Sequence, residues 1–146
     1  MLCGVEIDHP QGLAGHSDAD VAVHALMDAL LGAAGLGDIG ELFPDTDPAF
    51  AGASSIDLLD KVMAWLVKGG WKVANADITL VCERPHLAGY RLEMREGLAA
   101  ALDVASDAVS VKATTTEGMG FEGRGEGIAA MAVCLLAREE QAPAGL

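Results

Sequence analysis

The alternation of apolar and polar residues near the N-terminus predicts a short strand followed by a long, buried helix. Residues 5–7 are a strand candidate. Residues 21–34 contain few polar side chains, and a helix that is apolar nearly all round is a buried one. Ser17 or Asp18 is expected to cap the first turn of this helix, and Gly35 to end it.

Helical and strand periodicities then alternate along the rest of the chain. Helices are predicted for residues 55–68 and 89–102, strands for residues 71–82, 109–113 and 128–136, and loops for residues 38–50 and 114–127. With no internal repeat or interdomain linker, residues 1–146 are expected to form one domain. The element order predicts an α/β fold of the two-layer α+β kind, with a four-stranded sheet and helices packed on one face.

Composition and charge restrict the partners that this chain can have. Of its 146 residues 51% are apolar, which is typical of a folded globular protein. The 9 basic and 22 acidic residues give a net charge of -13, so neither nucleic acid nor a membrane surface is an expected partner. An anionic small substrate would require a few placed cations. No signal peptide or membrane-spanning run is found, so the cytoplasm is the expected location.

The predicted first helix carries three polar residues on one stripe. Asp20, His24 and Asp28 follow at intervals of four, which aligns them on an otherwise apolar helix. A buried polar group needs a partner. His24 could ligate a metal with a carboxylate orienting its other ring nitrogen, or it could be a core histidine bonded to Asp20 or Asp28. The pattern leaves both interpretations open.

Two later segments combine turn formers with groups that bind phosphates, polyols or cations. Residues 38–40 and 43–47 could form a lid over a polyol or a plain surface loop rich in aspartate. Residues 112–117 end in three threonines and Glu117, which could cradle a phosphate and hold a divalent cation, or could be an ordinary strand end. The GxGxxG pattern at residues 118–123 is not a dinucleotide motif, because a strand rather than a helix is predicted after it.

Three of these motifs, in this order, resemble the methylerythritol cyclodiphosphate synthase family. They are residues 15–21 with His24, residues 37–47, and residues 112–127. The resemblance implies that the substrate is 4-diphosphocytidyl-2-C-methyl-D-erythritol 2-phosphate. Its 2-phosphate attacks the β-phosphorus, CMP leaves, and a cyclic diphosphate forms. The resemblance also implies a homotrimer with active sites between subunits, and zinc together with magnesium or manganese as cofactors.

The resemblance also assigns roles to individual residues. His16 and Thr115 match the catalytic pair, His24 a zinc ligand, and Glu117 the ligand of the second metal. The residues that match substrate contacts are Ser17, Asp38, Ile39, Gly40, Phe43, Pro44, Asp45, Thr46, Asp47, Cys82, Pro85, His86, Leu87, Ala88, Thr114, Thr116, Glu117, Phe121 and Arg124. Within this set residues 82–88 match the cytidine pocket, and Phe121, Arg124 and Glu126 match the central cavity of the trimer.

Two departures from the family pattern affect these expectations. The family opens with a strand that carries Asp-x-His, two zinc ligands, whereas this chain begins at the strand that follows it. Asp8 and His9 are adjacent rather than spaced by one, so they are not expected to replace that pair. Zinc binding is therefore expected to be incomplete, and the chain could be a truncated or fused synthase. The alternative function is a weak or silent trimer that binds cytidine nucleotides. The second departure is His86, where the family often has Lys or Arg.

Overall fold

The fold consists of five helices and three strands in a computed structural model that describes residues 1–15 and 17–140. The helices are α1 (Val21–Ala34), α2 (Ile39–Leu42), α3 (Ser55–Lys68), α4 (Arg91–Leu102) and α5 (Gly120–Gly123). The strands are β1 (Trp71–Val81), β2 (Val109–Thr114) and β3 (Ala129–Arg138). Single 3-10 turns cover Pro48–Phe50, Ala88–Tyr90 and Ser106–Ala108. No helix in these ranges is long and apolar enough to cross a membrane.

Across the described residues the sheet has three strands in the order β2-β1-β3, not the four that were predicted. Strand β1 is parallel to β2 and antiparallel to β3. The expected strand at residues 5–7 is absent, because Leu2 and Val5 pair in an isolated antiparallel bridge instead. Cys3 and Gly4 make the turn of this bridge with φ angles of 51° and 75°. Beyond this two-residue turn, residues 6 and 7 pair with no strand of the described sheet, so the bridge is not extended into a strand.

Asp20, rather than Ser17 or Asp18, caps α1 and fixes this N-terminal turn. Its Oδ1 accepts the N–H of Val23 at 3.1 Å and that of Cys3 at 2.9 Å, and its Oδ2 accepts the N–H of Gly4 at 2.7 Å. The side chain is fully buried. A buried carboxylate is costly unless it is well hydrogen-bonded, and three backbone donors meet that requirement.

Helices α1, α3 and α4 pack against the sheet and enclose one apolar core. Strand β3 shows which face they cover, because its residues alternate in exposure. Ala130, Ala132, Cys134 and Leu136 pack against the core. On the opposite face Met131, Val133 and Leu135 are 61%, 70% and 58% exposed. The described chain therefore leaves an uncovered apolar row along one edge of the sheet.

Candidate active site

The His24 ring lies at the end of a hydrogen-bonded chain that begins at Asp18. Asp18 accepts the hydroxyl and the backbone N–H of Ser55, the latter at 3.1 Å. The ring Nε2 of His24 lies 3.0 Å from Ser55 Oγ and 3.1 Å from Ser17 Oγ. Because the Ser55 proton is donated to Asp18, Ser55 Oγ acts as the acceptor for His24. In its neutral form the imidazole then carries its proton on Nε2, which leaves the Nδ1 lone pair available to a ligand.

The other two members of the predicted polar stripe have partners of their own. Asp20 is occupied by backbone donors, and Asp28 Oδ1 accepts the N–H of Ile39 at 2.9 Å. His24 is therefore bonded to two serines rather than to Asp20 or Asp28. Burial raises the pKa of Asp18, but the hydrogen bonds from Ser55 and Asp20 and the nearby His24 outweigh burial and leave this pKa below its usual value.

The predicted polyol loop folds over the His24 ring and closes a cavity of about 330 Å³. The residues that line the cavity are Gly15, Ser17, His24, Met27, Ile39, Gly40, Phe43, Asp45, Phe50 and Leu58. Six of them were predicted from sequence. Asp38, Pro44, Thr46 and Asp47 do not line it: Asp38 caps α2 through the N–H of Glu41, and Asp47 caps the following 3-10 turn. His16, predicted to be catalytic, lies outside the described residues.

Phe43 anchors this loop to the body of the protein. Its ring is buried, stacks on Trp65 with centroids 5.6 Å apart, and meets Phe50 edge-on at 5.2 Å. Such aromatic pairs stabilise a fixed geometry beyond the area that they bury. The loop is therefore more ordered than its composition predicted, since it contains α2 and a 3-10 turn.

A second pocket, of about 220 Å³, lies where the parallel strands β1 and β2 end. The residues that line it are Cys82, Glu83, Pro85, His86, Leu87, Ala88, Arg91, Ala113, Thr114 and Thr115. The predicted cytidine loop and the predicted phosphate turn thus face one space. Cys82 is buried, and both burial and the charge of Glu83 raise the pKa of its thiol, so it stays protonated near neutral pH.

In the threonine turn, one hydroxyl donates no hydrogen bond to any of the described residues. Thr114 Oγ1 donates to the Thr115 carbonyl, and Thr116 Oγ1 donates to the Met119 carbonyl. Thr115 Oγ1 instead accepts the N–H of Glu117 at 3.3 Å. Its own proton is therefore available to a substrate oxygen, while those of its two neighbours are used within the turn.

The residues predicted around a trimer cavity lie on the exposed segment that follows this turn. Phe121 is half-exposed, and Arg124 forms a two-pronged ion pair with Glu126 at 2.9 and 3.1 Å. A larger cavity of about 560 Å³ lies between the N-terminal segment and residues 125–128. Among the described residues it shares Pro85 with the pocket of Thr115, and it is also lined by Arg84 of the predicted cytidine loop and by Glu126.

The predicted metal ligands fit the two expected cations unequally. Within residues 1–15 and 17–140 no three His, Cys, Asp or Glu side chains converge on one point. A catalytic zinc site needs about three protein ligands, and His24 supplies one imidazole, so the described residues do not fit a full zinc site. Magnesium is often held by one or two carboxylates together with substrate phosphates, and the exposed Glu117 beside the threonine turn fits that arrangement.

Sequence reasoning missed Ser55 and Arg91, and it included Glu83 only as part of residues 82–88 without assigning it a contact. Ser55 links Asp18 to His24, Glu83 faces the threonine turn, and Arg91 adds a cation to the pocket of Thr115. Only Arg91 has a signal that sequence could have supplied, because it follows the predicted cytidine loop in a chain with few cations. The contacts of Ser55 and Glu83 join residues more than thirty positions apart.

A pocket at the ends of two parallel strands, bordered by a threonine turn, is typical of an enzyme that binds a phosphorylated small molecule. The chain belongs to the YgbB family, whose sequence profile matches residues 1–137. The resemblance that was drawn from the three motifs is confirmed.

Individual relatives support this assignment. The 2-C-methyl-D-erythritol 2,4-cyclodiphosphate synthase of Symbiobacterium thermophilum is 61% identical over 137 residues, which are 94% of this chain and 87% of that protein. The solved bifunctional IspDF of Campylobacter jejuni matches with a TM-score of 0.91 at 44% identity, over 94% of this chain and 37% of that one. A CDP-bound 2C-methyl-D-erythritol-2,4-cyclodiphosphate synthase matches with a TM-score of 0.85 at 39% identity, over 94% and 89%.

Proposed function

We propose that this chain converts 4-diphosphocytidyl-2-C-methyl-D-erythritol 2-phosphate to 2-C-methyl-D-erythritol 2,4-cyclodiphosphate and CMP. The observation that carries the proposal is the single pocket that joins residues 82–88 to Thr114 and Thr115. A cytidine diphosphate needs a base site and a phosphate site in contact, and this pocket supplies both. The relative that was solved with CDP aligns with this chain over 94% of its length, at 39% identity.

The reaction requires the protein to position groups and stabilise charge rather than to form covalent bonds. An oxygen of the 2-phosphate forms a bond to the β-phosphorus. The bond from that phosphorus to the oxygen bridging to CMP breaks, and CMP leaves with the electron pair. The free hydroxyl of Thr115 is suited to donate to a phosphate oxygen as its charge changes. By family resemblance His16 completes the catalytic pair.

The methylerythritol end of the substrate is assigned to the cavity beside His24. Hydroxyl and carboxylate groups from Ser17 and Asp45 line that cavity with the backbone of Gly40, and they suit a small polyol. Among the described residues, the two pockets have no lining residue in common. A substrate that occupies both the His24 cavity and the Thr115 pocket would therefore bind between two copies of the chain. One copy would supply the His24 cavity, and the other would supply the Thr115 pocket.

We assign the uncovered apolar row of β3 to that contact between copies, and we propose a homotrimer. Three exposed apolar side chains in a line are unusual on a lone domain. The paired positions on β1 are Thr79, Asp77 and Asn75, so the row borders a polar strip. An apolar patch with a polar border is typical of a protein interface.

Glu117 is the proposed ligand of magnesium or manganese, and His24 of zinc. A divalent cation would supply charge neutralisation on the diphosphate. The proposed chemistry at Thr115 and in the base pocket depends only on residues of this chain. The cytoplasmic location and a fusion to an upstream synthase domain stay predictions; bifunctional relatives such as that of Desulforudis audaxviator give the latter its support.

The experiment is a direct assay of the purified protein with the proposed substrate and magnesium, manganese or zinc. Chromatography follows CMP, and phosphorus NMR follows the cyclic diphosphate. We expect equal amounts of both products, and Thr115→Val to lower the rate on the order of a hundredfold. Ser106→Ala, an exposed control that lines neither pocket, should change the rate little. CDP binding without either product would overturn the enzyme assignment in favour of a silent nucleotide-binding protein.

A further inference from the structure

Glu83 belongs to the predicted cytidine loop, residues 82–88, and connects this loop to the threonine turn through one oxygen of its carboxylate. Its Oε1 accepts the backbone N–H of Thr116 and that of Gly118, each at 3.1 Å, and lies 3.5 Å from the Thr116 hydroxyl. Glu83 directly follows Cys82 in the sequence, and both residues line the pocket of Thr115. One side chain therefore spans the two halves of the proposed nucleotide site.

The hydrogen bond between Glu83 and Thr116 lies directly beyond the last backbone hydrogen bond between the parallel strands β1 and β2. That last backbone bond joins the N–H of Cys82 to the carbonyl of Thr114 at 3.0 Å. In a parallel pair the next donor, the N–H of Thr116, would bond the neighbouring strand's backbone. Here it bonds the Glu83 side chain, which leaves the backbone of the turn free to curve away from the sheet.

The turn has a backbone shape that Glu83 helps to hold. Glu117 and Gly118 have φ angles of 53° and 81°, and the N–H groups of Thr116 and Gly118 converge on one Glu83 oxygen, as backbone N–H groups in a turn do around an anion. A non-glycine residue with positive φ persists only when its surroundings hold it. On the other side the turn is held by Gly123, where any added Cβ would overlap the Gly118 backbone.

We propose that Glu83 is a positioning residue for the reaction, which fixes the Thr115 hydroxyl relative to the bound cytidine. It acts by accepting hydrogen bonds from the turn and not by its charge on the substrate. Displacement of a reacting group by about 1 Å costs on the order of a hundredfold in rate, so a brace of this kind has a large effect on turnover. The inference rests on the proposed function for its kinetic readout.

Two conservative variants separate hydrogen bonding from charge. Glu83→Gln keeps an acceptor oxygen at the same reach and removes the charge. Glu83→Asp keeps the charge and withdraws the oxygen by one methylene. We expect Glu83→Gln to stay within about threefold of the wild-type kcat, and Glu83→Asp to lose on the order of tenfold to a hundredfold. The same pair at the exposed Glu93 on α4 is the matched control.

A second readout does not depend on activity. Hydrogen exchange of the peptide that covers residues 115–120 reports the N–H groups of Thr116 and Gly118 directly. We expect slow exchange in the wild type and in Glu83→Gln, and fast exchange in Glu83→Asp. The affinity for CDP should fall in Glu83→Asp. The affinity for cytidine, whose proposed site is the cytidine loop, should change less than twofold.

The outcomes are distinct. An active Glu83→Asp with an inactive Glu83→Gln would show that charge matters and overturn the proposal. Equal behaviour of the two variants, whether both active or both impaired, would overturn it as well. If the wild type releases no CMP, the proposed function fails, whereas the exchange data still decide whether Glu83 braces the turn.

Discussion

Asp28 holds the N–H of Ile39 at 2.9 Å, which ties the outer face of α1 to the first turn of α2. Asp38, at the start of α2, then caps that helix through the N–H of Glu41 at 3.0 Å. The loop over the His24 cavity is thus fixed at its beginning by two carboxylates and further along by the buried ring of Phe43. Its order depends on α1, which also carries His24.

We expect Asp28→Ala to loosen this loop and weaken substrate binding more than turnover. The N–H of Ile39 would lose its acceptor, while no catalytic group would be removed. KM should rise about fivefold to tenfold, and kcat should fall by less than a factor of three. Steady-state kinetics measure both constants. Asp28→Asn, which keeps an acceptor oxygen, should restore most of the affinity, and equal losses in the two variants would contradict this role.

Val133→Glu is expected to dissociate the proposed trimer. A charge in the middle of the apolar row of β3 would have to be buried without a partner in a subunit contact. Sedimentation should show the wild type as a trimer at micromolar concentration and the variant as a monomer. Val67→Glu is the matched control, because Val67 is likewise exposed, at 60%, but lies on α3 and outside the apolar row. A monomeric wild type would refute the trimer.

Asp18 should make the stability of the protein depend on pH in the acid range. Its pKa is lower in the folded protein than in the unfolded chain, because hydrogen bonds from Ser55 and Asp20 outweigh burial. The stabilisation is present above the unfolded value of about 3.9 and is lost as pH falls through the folded pKa. Thermal unfolding between pH 2 and pH 6 should show a shallower acid decline for Asp18→Asn. A parallel curve would exclude this contribution.

Glu117→Gln should separate binding of the diphosphate from binding of the base. One carboxylate is too few ligands for a magnesium site made of protein alone, so the cation is expected only when phosphate oxygens complete its coordination. In the presence of magnesium the variant should bind CDP about tenfold more weakly and cytidine with unchanged affinity. Calorimetry with both ligands, with and without the cation, makes the comparison. Similar losses for both ligands would exclude a metal role.

Local sequence signals predicted most of the helices well. The expected bounds of α1 and α3 match the structure, because apolar spacing and flanking glycines or serines determine them locally. Strand β1 ends one residue earlier than expected, and α4 begins two residues later, after a 3-10 turn. The short helices α2 and α5 were missed, because four residues are too few to show a period.

The errors arise where distant residues act on each other. Residues 5–7 have strand composition, but the turn at Cys3 is held by Asp20, seventeen positions away. Likewise the stripe of Asp20, His24 and Asp28 was recognised, whereas its partners were not, since they lie in the loop, in α3 and at the N-terminus. Membership of the family was predictable because its motifs are contiguous in sequence.

The hydrogen bonds that Asp20 accepts determine which substitutions the N-terminal region tolerates. Its three donors are backbone N–H groups, which every residue except proline possesses. A saturation mutagenesis scan should therefore exclude proline at Cys3 and Val23, while their other replacements are limited by packing, because both side chains lie in the buried core. Asp20 itself should tolerate almost nothing, since each orphaned donor costs roughly 1–3 kcal/mol. At this junction the hydrogen bonds constrain the identity of one carboxylate, whereas Cys3 and Val23 are constrained only by the apolar space that they fill.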